Sequence, residues 1–107
     1  MATKAIGMRL NMTERNLIIE AARRYSMKVT SWCRERLERI WAIEKDNLEE
    51  KFPQLRSGFG TPFTVRVSEE TCEKYRKLAH AEGVSLARWA RTRLVQIAML
   101  EKLNSRK

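Results

Sequence analysis

The chain is short of the residues that build metal and redox sites. Its 107 residues hold one histidine, His80, and two cysteines, Cys33 and Cys72. No CxxC pair or His/Cys cluster occurs, so neither a zinc site nor a disulfide framework is indicated, and the two thiols read as small apolar fillers. Met1–Gly7 lacks an apolar leader, and with so little cysteine the expected setting is a reducing cytoplasm. Asp46 is the only aspartate. Paired carboxylates, a Cys/His couple and a phosphate-cradling glycine loop are all missing, so no catalytic residue is assigned, no metal or cofactor is expected, and the chain is not read as an enzyme. No apolar run approaches 18 residues, so no membrane partner is expected.

Acidic residues are also scarce relative to basic ones. Thirteen Asp+Glu stand against 22 Lys+Arg, a formal charge of +9. The surplus is spread along the chain: residues 1–60 carry 12 basic and 8 acidic side chains, residues 61–107 carry 10 and 5. It is therefore not a detachable basic tail. Such a balance points to a polyanionic partner, the plainer alternative being lysines and arginines that solvate helix faces. With 43% apolar residues the chain is globular, and its length suits one domain or two very small ones.

What is present is an internal repeat. Shifting the chain by 57 residues aligns Lys4–Glu50 with Thr61–Lys107 without a gap, and 10 of the 47 positions are identical, among them Arg9/Arg66, Trp32/Trp89, Arg34/Arg91, Arg36/Arg93 and Glu44/Glu101. Average composition would give about three matches. Each copy reads as strand, helix, turn, helix. Ile6, Met8 and Leu10 alternate with Ala5, Gly7 and Arg9, and Phe63, Val65 and Val67 alternate with Pro62, Thr64 and Arg66, a period of two that separates an apolar face from an outward one.

Asn11 and Ser68 are N-cap residues, and Glu14 stands where a capping-box partner belongs. The first helices are expected at Met12–Tyr25 and Glu69–Glu82, with buried stripes Ile18, Ala21, Ala22, Tyr25 and Tyr75, Leu78, Ala79. Ser26 and Gly83 take the turns, and second helices run over Val29–Asn47 and Leu86–Asn104. Residues 51–60, between repeats at 1–50 and 61–107, contain Pro53, Gly58 and Gly60 and read as a linker. A single strand in a unit of about 45 residues lacks a pairing partner and a sufficient core, so the two copies are expected to pair their strands antiparallel and share one core; a dimer that swaps copies satisfies the same need.

The order Phe63–Ser68 strand, helix, Gly83-Val84-Ser85 turn and Leu86–Leu94 helix resembles the ribbon-helix-helix DNA-binding family. The resemblance covers nearly the whole chain twice and looks like a tandem, single-chain pseudo-dimer, similar to conjugation accessory proteins of the F-plasmid type. The implied fold is mainly α with a two-stranded antiparallel β-ribbon. Copy one departs from the pattern, with Ser26-Met27-Lys28 in place of Gly-Val-Ser and small Ala5 and Gly7 at outward positions.

The resemblance implies that the ribbon enters the major groove of double-stranded DNA. Ala5, Gly7, Arg9, Pro62, Thr64 and Arg66 are then the base-facing positions. Arg9 and Arg66 are suited to bidentate bonds with guanine, and Thr64 to a base edge or a thymine methyl. Phosphates would be anchored by Lys4 and by the starts of the second helices, at Lys28, Val29, Thr30, Ser85, Leu86 and Ala87, where unpaired N–H groups and the helix dipole favour an anion. Arg34, Arg36, Arg91 and Arg93 are assigned to salt bridges or solvent, Trp32 and Trp89 to the core, and His80 to the surface.

The leading expectation is a sequence-specific transcriptional repressor, cytoplasmic and nucleoid-associated when bound, that works with other copies of itself on DNA. A relaxosome or origin-of-transfer accessory factor, with a conjugation or regulatory protein as partner, is the alternative. A different class, an antitoxin-like protein-interaction module, would use Trp41, Phe52 and Phe59.

Overall fold

A computed structural model describes residues 3–45 and 60–104. The chain runs β1 (Thr3–Leu10), α1 (Met12–Arg24), α2 (Val29–Glu44), β2 (Thr61–Ser68), α3 (Glu69–Glu82) and α4 (Leu86–Asn104). It is mainly helical with one two-stranded antiparallel sheet. Both β1 and β2 are eight residues long, and they pair from Thr3↔Ser68 to Leu10↔Thr61, with Gly7 opposite Thr64 at the middle.

The alternation in each strand sets the two faces of the ribbon. Ile6, Met8, Leu10, Val65 and Val67 are buried against the helices, and Phe63 packs against the same cluster from a half-buried position. Chain entry into β2 is tight. A Cβ on Gly60 would sit 2.2 Å from the Leu10 carbonyl oxygen, so glycine is required where the backbone passes the end of β1.

Helix starts follow the expected caps. The Asn11 side chain accepts from Glu14 N–H at 2.8 Å while Glu14 Oε1 accepts from Asn11 N–H at 3.0 Å, a complete capping box. Ser68 Oγ accepts from Thr71 N–H at 3.1 Å. The helix ends also match one another. Met27 N–H reaches Ala22 O at 3.0 Å and Val84 N–H reaches Ala79 O at 3.1 Å, each closing over a left-handed residue, Ser26 (φ 54°) and Gly83 (φ 74°). Glycine takes that conformation freely, whereas Ser26 bears a Cβ clash of about 1 kcal/mol.

Three expectations need correction or limits. Helix α1 ends at Arg24, and Tyr25 is 53% exposed and outside the buried stripe. The left-handed turn at Ser26 swings the ring out of the core, where it lies 4.8 Å from the Arg36 guanidinium. Helix α2 ends at Glu44, with Lys45 in a turn; Asp46 and Asn47 lie outside the described residues, as do the expected linker up to Phe59 and its aromatics Phe52 and Phe59.

The core joins all six elements. Trp32, Trp89, Tyr75, Leu37 and Leu94 are fully buried, and Tyr75 stacks on Trp89 at 5.4 Å. Helix α2 packs on β2 and α4 on β1, so each second helix lies beneath the strand of the other half, and α4 also contacts α1 and α2. Cys33 and Cys72 are buried free thiols among these apolar groups, and His80 is exposed.

Buried ion pairs knit the halves together. Arg36 Nε donates to Glu101 at 2.7 Å and Arg93 Nε to Glu44 at 2.7 Å, contacts related by the 57-residue shift on both sides. Arg93 also bonds Glu82, and Arg91 bonds Glu14 at 2.6 Å. Two of these guanidinium groups also lie over an indole, Arg36 at 5.4 Å from Trp32 and Arg93 at 5.9 Å from Trp89.

Candidate nucleic-acid interface

Period-two alternation that buries one face of the ribbon leaves the other face open. Ala5, Gly7, Arg9, Pro62, Thr64 and Arg66 are all exposed, and they pair across the ribbon as Ala5↔Arg66, Gly7↔Thr64 and Arg9↔Pro62. The two arginines therefore flank the central Gly7/Thr64 pair from opposite sides. Arg9 and Arg66 lie four residue steps apart along the ribbon, roughly 13 Å. The face is flat at the middle, since Gly7 has no side chain and a Cβ there would meet nothing within 4 Å.

The expected anchoring positions divide into two groups. Lys4 pairs with Val67, so it shares the parity of the buried residues; it stays exposed at the open end of β1 and stands apart from the arginine face. Lys28, Thr30 and Ser85 are exposed, whereas Val29, Leu86 and Ala87 pack partly into the core and offer backbone only.

The two helix starts are chemically unequal. In α4, Ser85 Oγ accepts the Arg88 N–H at 3.2 Å, while in α2 the N-cap Lys28 makes no side-chain cap. The first intrahelical bonds are Trp32 N–H to Lys28 O and Trp89 N–H to Ser85 O, both 2.9 Å, so the amides before Trp32 are spare donors at a positive dipole end whose N-cap residue is the exposed Lys28.

The start of α2 and the ribbon face meet. Thr30, Arg34, Thr64 and Arg66 line one groove of about 410 Å³. An adjoining groove of about 450 Å³ continues past Arg34 and Arg66 to Thr71, Tyr75 and Glu38. The Glu38 carboxylate is engaged there by the Tyr75 hydroxyl at 2.6 Å. The resulting surface presents guanidinium and hydroxyl donors side by side, with acidic groups confined to its far end, a donor set suited to phosphate oxygens or base acceptors.

Arg34 is the functional candidate that sequence reasoning passed over. The expected assignment to salt bridges or solvent covers all four arginines: Arg36, Arg91 and Arg93 are buried in ion pairs, and Arg34 is the one on the solvent side. Arg34 is exposed in the groove, and no carboxylate lies within salt-bridge distance among the described residues. The sequence did contain a signal. Glu14, the partner of Arg91, aligns with Thr71, so the carboxylate that would serve Arg34 is missing.

Trp41, a candidate for binding a protein partner, is half-buried and carries the Lys45 and Lys74 ammonium groups over its ring at 4.8 and 4.5 Å. Among the described residues no group of three or more His, Cys, Asp or Glu is arranged to hold a metal ion, and no helix is long and apolar enough to cross a membrane. Comparison with protein-family models, curated proteins and solved structures finds no match to this chain.

Proposed function

We propose that this protein is a sequence-specific double-stranded-DNA-binding protein, a tandem ribbon-helix-helix pseudo-dimer in one chain that acts as a transcriptional repressor. The observation that carries the reading is the ribbon itself. One face is sealed onto the helices, and the other presents Arg9 and Arg66 symmetrically about the Gly7/Thr64 pair. A two-stranded ribbon fits the major groove, and Arg is the side chain best shaped to grip guanine O6 and N7. Helix starts on both sides of the ribbon then meet the phosphates that fix register.

The pseudo-dimer reading is supported by contacts that recur at the 57-residue shift: the capped first helices, the left-handed turns, and the crossed pairs Arg36–Glu101 and Arg93–Glu44. Unlike copies at the reading face, Gly7 against Thr64 and Ala5 against Pro62, call for an asymmetric recognition element. Asymmetry also suits an origin-of-transfer accessory factor. Selecting bound sequences from a random pool separates the two roles: a repressor's site falls in a promoter, an accessory factor's beside a transfer origin.

The central test is the double variant Arg9→Ala/Arg66→Ala. Specific binding in a gel shift should be abolished, while the circular dichroism spectrum and unfolding midpoint stay within experimental scatter, because both side chains are exposed and unpaired among the described residues. Wild-type affinity should fall steeply with salt, as counterion release demands. Sequence-specific binding that survives the double substitution would overturn the proposal.

A further inference from the structure

The two ends of the ribbon are not equivalent, and the difference traces to one pair of positions. Glu14 and Thr71 occupy the same place, three residues after the N-caps Asn11 and Ser68. Glu14 serves the capping box and also holds Arg91 by two hydrogen bonds, Nη2 to Oε2 at 2.6 Å and Nε to Oε1 at 3.3 Å. Both side chains of that pair are 8% exposed. Thr71 instead accepts the Ser68 hydroxyl at 2.8 Å and carries no charge, so Arg34, the equivalent of Arg91, has no such partner and opens into the groove beside Arg66.

The same one-sidedness runs through the whole groove. It is lined by Thr30, Arg34, Thr64 and Arg66. The shift of 57 residues turns these into Ala87, Arg91, Gly7 and Arg9. On that side one hydroxyl is replaced by a methyl, the other by hydrogen, and one guanidinium is already neutralised. Arg9 alone remains. Four donor side chains line this groove, and of their four counterparts only Arg9 is an exposed donor.

Two guanidinium groups lining one groove without a carboxylate repel one another, and an anion placed between them removes that cost. Glu38 stands at the far end of the adjoining groove and is engaged by Tyr75, so the favourable position for an anion is the Thr30/Thr64 end, where no acidic side chain lines the wall.

We infer that Arg34 and the Thr30 hydroxyl, on the α2 wall of this groove, take a backbone phosphate of the DNA that has no equivalent contact on the other side of the ribbon, while Thr64 and Arg66 on the β2 wall stay with the bases, so that the protein docks with a fixed polarity, its α2–β2 flank forming the strong half of the contact. The inference rests on the DNA-binding reading and adds to it the direction of docking and the pair of residues, Glu14 and Thr71, that sets it. Arg34 contributes affinity and orientation, while base choice stays with the ribbon.

The experiment measures the full-length chain on its selected DNA site across a salt series, with hydroxyl-radical footprinting of both strands. Arg34→Gln should weaken binding about tenfold, the value of one charge-assisted contact, and lower the magnitude of the salt slope by about 0.9. Thr71→Glu leaves every proposed contact residue in place and supplies Arg34 with the counter-ion that Arg91 has. It should give a similar loss, with protection fading at one end of the footprint while sequence preference persists. If both variants bind with unchanged affinity, slope and footprint, the polarity inference is overturned and the ribbon reading still stands on the Arg9/Arg66 test. Wild-type protein that binds no DNA overturns both.

Discussion

Burial pushes the Cys33 thiol from its ordinary 9.0 up to about 12 and raises the Tyr75 hydroxyl as well, the latter through desolvation first and then through its hydrogen bond to Glu38 and that carboxylate's charge. Each group keeps its proton in the folded protein at a pH where the unfolded chain has released it. Above the ordinary values the unfolded state binds fewer protons, so stability falls as pH rises. The Cys33 contribution is complete below about pH 9 and is lost between about 9 and 12, and that of Tyr75 begins to be lost only above about pH 10, each with a slope of up to about 1.4 kcal/mol per pH unit. Urea midpoints should therefore be level from pH 7 to 8.5 and decline above 9, and Tyr75→Phe should make the decline above about pH 10 shallower. An equally steep limb in that variant would refute the assignment to Tyr75. The filler role of Cys33 was legible in the sequence, because a lone cysteine at helical spacing among apolar residues has nothing to react with. The Tyr75–Glu38 bond was not, since it joins residues 37 apart whose aligned counterparts, Ile18 and Val95, form no such pair.

Helix α1 depends on Glu14 in two ways, as the capping-box acceptor and as the counter-ion that neutralises Arg91 under the neighbouring helix. Removing its charge leaves a buried guanidinium uncompensated, which costs about 3–5 kcal/mol, whereas loss of a cap hydrogen bond alone costs about 1 kcal/mol. Glu14→Gln should therefore destabilise the protein by the larger amount in equilibrium unfolding. Combining it with Arg91→Met should recover a sizeable part, since a paired charge replaced by apolar volume is often near neutral. A cycle with no coupling between the two positions would contradict this. The element boundaries themselves were largely readable: α3 and α4 match expectation, and both strands show the alternation that buries one face. Local chemistry decides those features, through Ser68, Gly83 and the period of two. The fate of Tyr25 was not readable, because Ser26 takes a left-handed turn that its side chain does not advertise. The difference between Arg34 and Arg91 left a single trace, the Glu14/Thr71 mismatch: identical residues at identical helix positions diverge through a third residue on another helix.

At the scale of the whole molecule, nearly every strong polar contact of the core joins the first half of the chain to the second. Arg36–Glu101, Arg93–Glu44, Arg91–Glu14 and Tyr75–Glu38 all cross, and among the described residues β1 pairs with no strand except β2. Either half alone would expose a strand edge, the apolar undersides of its helices and one member of each ion pair, and a unit of about 45 residues cannot offset those costs. Separate polypeptides of residues 1–50 and 61–107 should each lack a cooperative unfolding transition, yet recover helical circular dichroism and DNA binding when mixed in equal amounts. The mixture should then melt at a temperature that rises with concentration, as a bimolecular fold must, while the intact chain melts at a concentration-independent temperature. A half that folds cooperatively alone would break the shared-core account. Intact protein whose midpoint climbs with concentration would show instead that strands pair between chains. That outcome would leave Arg9 and Arg66 on one ribbon face and move the crossed ion pairs from within a molecule to between two.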